Sequence, residues 1–231
     1  MKVRIAKFIA DSGIASRRTA EDLIARGAVS VNGEKIDTPV FFVDENDVVI
    51  VNGKKIGTKT ATKLYAFHKP VNTMTTRADP NGRQTIYDVL PNEYKSLKYI
   101  GRLDYKTTGL LLMTNDGELA RKMTLPSSHI PRTYIATVYG DLSKLDLARH
   151  GITVHGIKYA PMKIDVIEDK HLRVEIAEGK KNEVRIVLSA VGAPVKKLHR
   201  ISFGKIELGN LPVGKIREIN QKTIDLILKS F

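Results

Sequence analysis

Over the first 60 positions apolar residues recur at helical spacing twice and then switch to alternation. In VRIAKFIADSG, Val3, Ile5, Ala6 and Ile9 share one helical face, and Gly13 stands where helices stop, which predicts a first helix. ASRRTAEDLIARG repeats the scheme, with Ser16 as N-cap, Leu23 and Ile24 on the buried face and Gly27 as the stop. VSVNGEKI at 29–36 and VIVNGKKI at 49–56 then agree at six of eight positions, each with Asn-Gly between short strand-like runs. A type I′ turn needs positive φ at both central residues, so Asn-Gly predicts two hairpins, and two copies do not make a solenoid.

GTKTATK, at 57–63, is small, polar and basic and reads as a linker between a module at 1–60 and a second domain at 64–231. Beyond it LYAFHKP, GLLLMTN, RTYIATVYG, HLRVEIAEG and KKLHRISFGKIELG are strand-like, while DGELARKMTL and NEVRIVLSAVG have helical spacing. Strands dominate without strict strand–helix alternation. The expected class is therefore α+β with a mixed or antiparallel sheet, not a doubly wound parallel sheet.

Composition narrows the function. The 231 residues are 42% hydrophobic and 27% charged, as in a globular soluble protein, and no apolar run approaches a bilayer span. Charges interrupt each apolar run of MKVRIAKFIADSG, so no secretory signal is read there and a cytoplasmic location without membrane association is expected. Without cysteine there are no disulfides, thiolate metal sites or cysteine nucleophiles, and the six histidines form no H-E-x-x-H pair; no metal or cofactor is expected. Lys and Arg number 38 against 25 Asp and Glu, a net +13, which points to a polyanionic partner such as nucleic acid. Arg17 and Arg18 open the second helix, where free amides and the helix dipole suit phosphate, although a solvated charged face has the same composition.

Several motifs have an ordinary reading beside a chemical one. GNLPVGKI, at 209–216, matches G-x-x-x-x-G-K, but Ile216 stands where a phosphate-binding loop needs Ser or Thr, and no helix is predicted after it. No G-x-S-x-G elbow anchors a hydrolase. Asp104, just ahead of the apolar run Gly109–Met113, is either a turn cap or a carboxylate held for chemistry. Tyr134 in an alternating strand reads first as half-buried filler, Arg185 as a solvated helix arginine and Leu198 as core.

The motifs taken together change these readings. RIAKFIADSGIASRRTAEDLIARGAVSVNGEKI resembles the small RNA-binding module named after a ribosomal small-subunit protein, which implies an RNA partner. GRLDYKTTGLLLMTNDG resembles the signature of pseudouridine synthases in the RsuA/RluB branch, whose pattern G-R-L-D-x-x-T-x-G-L-L-L-x-T-x-D-G carries an essential aspartate at the position of Asp104. FHKPVNTMTTRADPNGRQTIYDVLP, PRTYIATVYG and EGKKNEVRIVLSAVGAPVKKLHRISFG are similar to three further motifs of that family, in the same order, and the first is closer to the large-subunit enzymes. Lys180-Lys181-Asn182 stands where Arg-Asn-Arg is usual, and Ile186 replaces a second Arg.

The resemblance implies isomerisation of a uridine in ribosomal RNA, with 23S expected and 16S the alternative within the same chemistry. It assigns Asp104 as nucleophile, Arg185 as the guanidinium that keeps it ionised, Tyr134 as the residue stacked on uracil and Leu198 as packing against the ring. Arg102 follows as a contact to phosphate or to the space left by the flipped base, with Arg17, Arg18, Lys180 and Lys181 as further RNA contacts. Residues 170–205 hold nine Lys and Arg against three Glu, a basic lining suited to RNA. The competing class is a noncatalytic RNA-binding assembly factor; nothing calls for an obligate oligomer, so a monomer is expected.

Overall fold

A computed structural model describes residues 2–57 and 61–229. Residues 58–60, the middle of the expected linker, lie outside the described residues. The chain divides into two compact units, one running to Thr62 and including Asn115–Gly117, the other comprising Lys63–Thr114 and the chain from Glu118 onward.

The first unit opens with β1 (Val3–Arg4), α1 (Ile5–Asp11) and α2 (Arg17–Ala25). Val3 departs from the helical expectation: it pairs with Val43 in a short antiparallel bridge, and the helix begins at Ile5. In α2 the Ser16 hydroxyl accepts from the Thr19 amide at 3.1 Å, capping the helix as its sequence predicts. The strands β2 (Val29–Val31), β3 (Glu34–Lys35), β4 (Phe42–Val43), β5 (Val49–Val51) and β6 (Lys54–Lys55) follow. β3-β2-β5-β6 form one antiparallel sheet, and its two hairpins turn at Asn32-Gly33 and Asn52-Gly53, where all four residues have positive φ. Ile5, Ile9, Ile24, Val29, Val49 and Val51 build this unit's own core.

The second unit is built on a mixed nine-stranded sheet. Its elements in chain order are β7 (Leu64–Lys69), α3 (Ile86–Val89), β8 (Lys98–Ile100), β9 (Thr107–Thr114), α4 (Gly117–Thr124), β10 (Arg132–Val138), α5 (Leu145–His150), β11 (Ile152–Val154), β12 (Ile157–Tyr159), β13 (Lys163–Glu168), β14 (His171–Ile176), α6 (Glu183–Ala190), β15 (Val195–Phe203), β16 (Ile206–Glu207), β17 (Ile216–Glu218) and α7 (Gln221–Leu228). The sheet order is β13-β14-β10-β15-β9-β7-β17, with β8 and β16 attached to β9 and β15, while β11 and β12 pair separately. The segment after GNLPVGK continues as a strand, β17, where a nucleotide-binding loop would lead into a helix.

Two antiparallel halves meet at one parallel seam, where β15 pairs with β9 through Leu198 with Thr107, His199 with Thr108 and Arg200 with Gly109. Alternation divides β9 between two cores: Leu111 and Met113 pack on one face with Tyr134, Leu198 and the α6 residues Val184, Val187 and Leu188, whereas Leu110 and Leu112 pack on the other with Phe203 and Met123. Val187 and Leu188 follow Val184 by one helical turn, so α6 covers the first face near the seam.

Candidate active site

The loop before β9 is tied down along its backbone. The Thr75 hydroxyl donates to Leu103 O at 2.8 Å, the Asn72 amide to Tyr105 O at 2.8 Å and the Arg185 guanidinium to Lys106 O at 3.1 Å. The Thr107 amide donates to the main-chain carbonyl of Asp104 at 3.0 Å. This turn is closed by backbone alone, so the Asp104 carboxylate is not its cap.

That carboxylate lines a cavity of about 240 Å³ with Arg102, Thr107, Arg132, Tyr134, Leu198 and Arg200. Tyr134 on β10 and Arg200 on β15 are cross-strand neighbours, and the parallel seam sets Leu198 opposite Thr107. Asp104, Tyr134 and Leu198 therefore come together, although 94 residues separate the first from the last. Tyr134 lines this cavity and is only 7% exposed.

Arg185, expected beside Asp104 as the guanidinium that keeps it ionised, lies within electrostatic reach of it without a salt bridge. Its guanidinium donates to Val195 O and Lys106 O, each at 3.1 Å. Burial disfavours its charge, and the nearby negative charge of Asp104 opposes that effect. The group touching Asp104 is Asn182: in the amide orientation that satisfies both of its ends, Nδ2 donates to Oδ2 at 2.8 Å and to Oδ1 at 3.2 Å. Asn182 precedes α6 with φ +53, and the buried Glu183 carboxylate fixes that approach by accepting from the Gly179 and Lys180 amides at 2.8 and 2.7 Å. Arg132 supports the same segment, donating to Ala177 O at 2.7 Å while its guanidinium lies over Phe203.

The other expected RNA contacts are distributed differently. Arg102 and Lys181 are exposed at the cavity, whereas the Lys180 amine is held by Lys158 O at 2.6 Å and Glu178 at 2.8 Å. Arg17 and Arg18 are exposed on the first turn of α2, in the other unit.

Sequence reasoning passed over four polar residues. Fully buried Lys69 donates to Pro70 O and Thr107 O, both at 2.8 Å. Burial pushes its amine down to about 8, against the attraction of Asp104 and with help from Arg200. Arg200, 2% exposed, donates from Nε to Leu110 O at 2.7 Å, yet its Nη2 and the Thr107 Oγ1 are buried without a partner among the described residues. With Arg132 these residues were visible only as members of matched motifs, since a cation on a strand reads as solvent-facing.

Lys69 gives a stability prediction. Below about pH 8 the ammonium is protonated in both folded and unfolded chains, and its burial cost is fully present. As pH rises from there toward the unfolded value near 10.4, the folded chain loses this proton first, so stability rises. Between pH 7.5 and 10, urea unfolding should show the natural chain gaining about 2 kcal/mol relative to Lys69→Met; equal pH slopes would contradict the burial of a charged lysine.

Comparison with known proteins decides what this arrangement belongs to. The RNA pseudouridylate synthase family model matches residues 63–190, and the S4 domain model matches residues 3–49. The chain belongs to the RNA pseudouridylate synthase family. It is 40% identical to an uncharacterized RNA pseudouridine synthase of Aquifex aeolicus, covering 100% of this chain and 95% of that one. It is 37% identical to the ribosomal large subunit pseudouridine synthase B of Bacillus subtilis, over 94% of this chain and 91% of that protein. A crystal structure of a pseudouridylate synthase superposes on the synthase with a TM-score of 0.70 at 27% identity, covering 97% of this chain and 99% of the other. The synthase thus joins an N-terminal S4 domain to a mixed-sheet catalytic domain, and no described helix is long and apolar enough to cross a membrane.

Proposed function

We propose that the synthase converts a uridine of large-subunit ribosomal RNA to pseudouridine with Asp104 as nucleophile. The observation that carries the chemistry is the meeting of Asp104, Tyr134 and Leu198 around one cavity lined also by Arg132 and Arg200. The likeness to the Bacillus subtilis large-subunit enzyme supports the choice of RNA.

In this reading the target nucleotide leaves its stack, at a cost of a few kcal/mol, and its base enters the cavity. The C1′–N1 bond breaks, the base turns, a C1′–C5 bond forms and the proton on C5 leaves. The Asp104 carboxylate adds either to C6 of the ring or to C1′ of the ribose, and that bond breaks again, returning the carboxylate unchanged. Leu198 packs on the ring and Tyr134 stacks against it, its hydroxyl taking part in removing the C5 proton. Thr107 and Arg200 contribute polar residues to the lining that a polar base would meet. Arg102 meets phosphate or fills the place the base has left.

On the S4 domain, Arg17 and Arg18 contact phosphates. Arg17→Ala with Arg18→Ala should weaken binding to different RNA sequences by similar factors and lower the slope of log affinity against log salt by roughly 2, measured by filter binding across a salt series. An unchanged slope removes them from the interface. The function itself is tested by mapping pseudouridines in ribosomal RNA from cells with and without the synthase: one large-subunit site should revert to uridine, and a map without that change would defeat the proposal.

A further inference from the structure

Asn182 is a neutral residue at a position that places strain on its own backbone. With φ at +53 it adopts the left-handed conformation, which asparagine tolerates better than most residues but still at some cost. Its side chain does not cap the helix it precedes. The approach of the chain to α6 is already fixed by Glu183, which holds the Gly179 and Lys180 amides. What remains for the amide is Asp104, to which Nδ2 donates at 2.8 and 3.2 Å. The charged groups acting on the same carboxylate, Lys69 and Arg185, are both engaged by backbone carbonyls.

We infer that Asn182 is the positioning residue for Asp104, orienting the carboxylate toward the cavity through a neutral donor while Lys69 and Arg185 act on it only at a distance. The inference rests on the assignment of Asp104 as nucleophile. A neutral donor suits a group that must first bond to carbon and then be released, because it orients the oxygens without the stronger hold of a contact ion pair. The left-handed backbone aims the side chain back across the start of α6, and the loop anchored by Thr75 and Arg185 brings the carboxylate to meet it.

Three substitutions separate this role from a purely structural one. Asn182→Gly keeps the positive φ without a Cβ and removes only the amide. It should lower kcat by roughly 10–100-fold, the range for losing a hydrogen bond to a charged group, with KM for the RNA nearly unchanged and the melting temperature within a few degrees. Asn182→Asp keeps shape and helix-start preference; as a helix-entry residue it would be as good as asparagine, but facing Asp104 it replaces a donor by a like charge. It should therefore fall below the glycine variant in kcat. Asp104→Asn, assayed alongside, is inactive if the nucleophile assignment is right. Should Asp104→Asn be inactive while Asn182→Gly keeps kcat within twofold, or while Asn182→Asp matches the natural enzyme, the positioning role is wrong and the nucleophile stands. A large fall in melting temperature for Asn182→Gly would also overturn it, since the amide would then be serving the fold. Activity in Asp104→Asn would instead sink the assignment beneath it.

Discussion

Gly109→Ala should lower the melting temperature of the catalytic domain by about 6–12 °C, corresponding to about 3 kcal/mol. Gly109 lies on the parallel seam with φ +110, and a Cβ built there would sit 2.3 Å from Arg200 O and 2.6 Å from Arg200 N. Both obstructing atoms are backbone, so no side chain can rotate away; β9 and β15 must separate or shift. Separation at that point also disturbs Thr107, Leu198 and Arg200, and activity should fall with stability. Gly156→Ala is the control: its φ is +77, but nothing lies within 4 Å of the added carbon, leaving backbone strain of roughly 1 kcal/mol. Thermal melts followed by circular dichroism decide between them, and equal falls for the two variants would show that the seam is not closely packed at Gly109.

The local features of this chain were legible because short-range chemistry dictates them. Asn32-Gly33 and Asn52-Gly53 announce their hairpins through a backbone requirement that few other pairs meet, and Ser16 announces α2 through a bond three residues away. Val3 was misplaced because an apolar residue two positions before a helix satisfies the helical period as well as it satisfies pairing with Val43, and only tertiary structure chooses. The parallel seam leaves no periodic mark: nothing in the order of the strands says that β15 will join β9. The site was readable at Asp104, Tyr134 and Leu198 through motif resemblance, and the cavity they share required the fold. Asn182 was noticed only as a departure from a basic pattern, since a hydrogen bond across 78 residues of sequence cannot be inferred from spacing. Lys69, Arg132 and Arg200 were hidden for a related reason: basic residues are read as surface unless their acceptors are known, and theirs are backbone carbonyls.

Asp104→Asn should reduce pseudouridine formation by a factor on the order of 10⁴–10⁶, the scale seen when a nucleophile is removed from an otherwise intact site. The substitution changes one oxygen to an amino group, and neither the loop bonds made by Thr75, Asn72 and Arg185 nor the turn closed by the Asp104 carbonyl involves the side chain. Folding and RNA affinity should be preserved, because the binding surface remains and one of the two side-chain oxygens still accepts from Asn182. Only the capacity to form and then release a bond to carbon disappears. The decisive measurement is tritium release from large-subunit RNA labelled at carbon 5 of uridine, run with the natural chain and with Asp104→Asn at matched RNA binding. Release by the first and none by the second is the expected result, whereas comparable release by both would contradict the role given to this carboxylate.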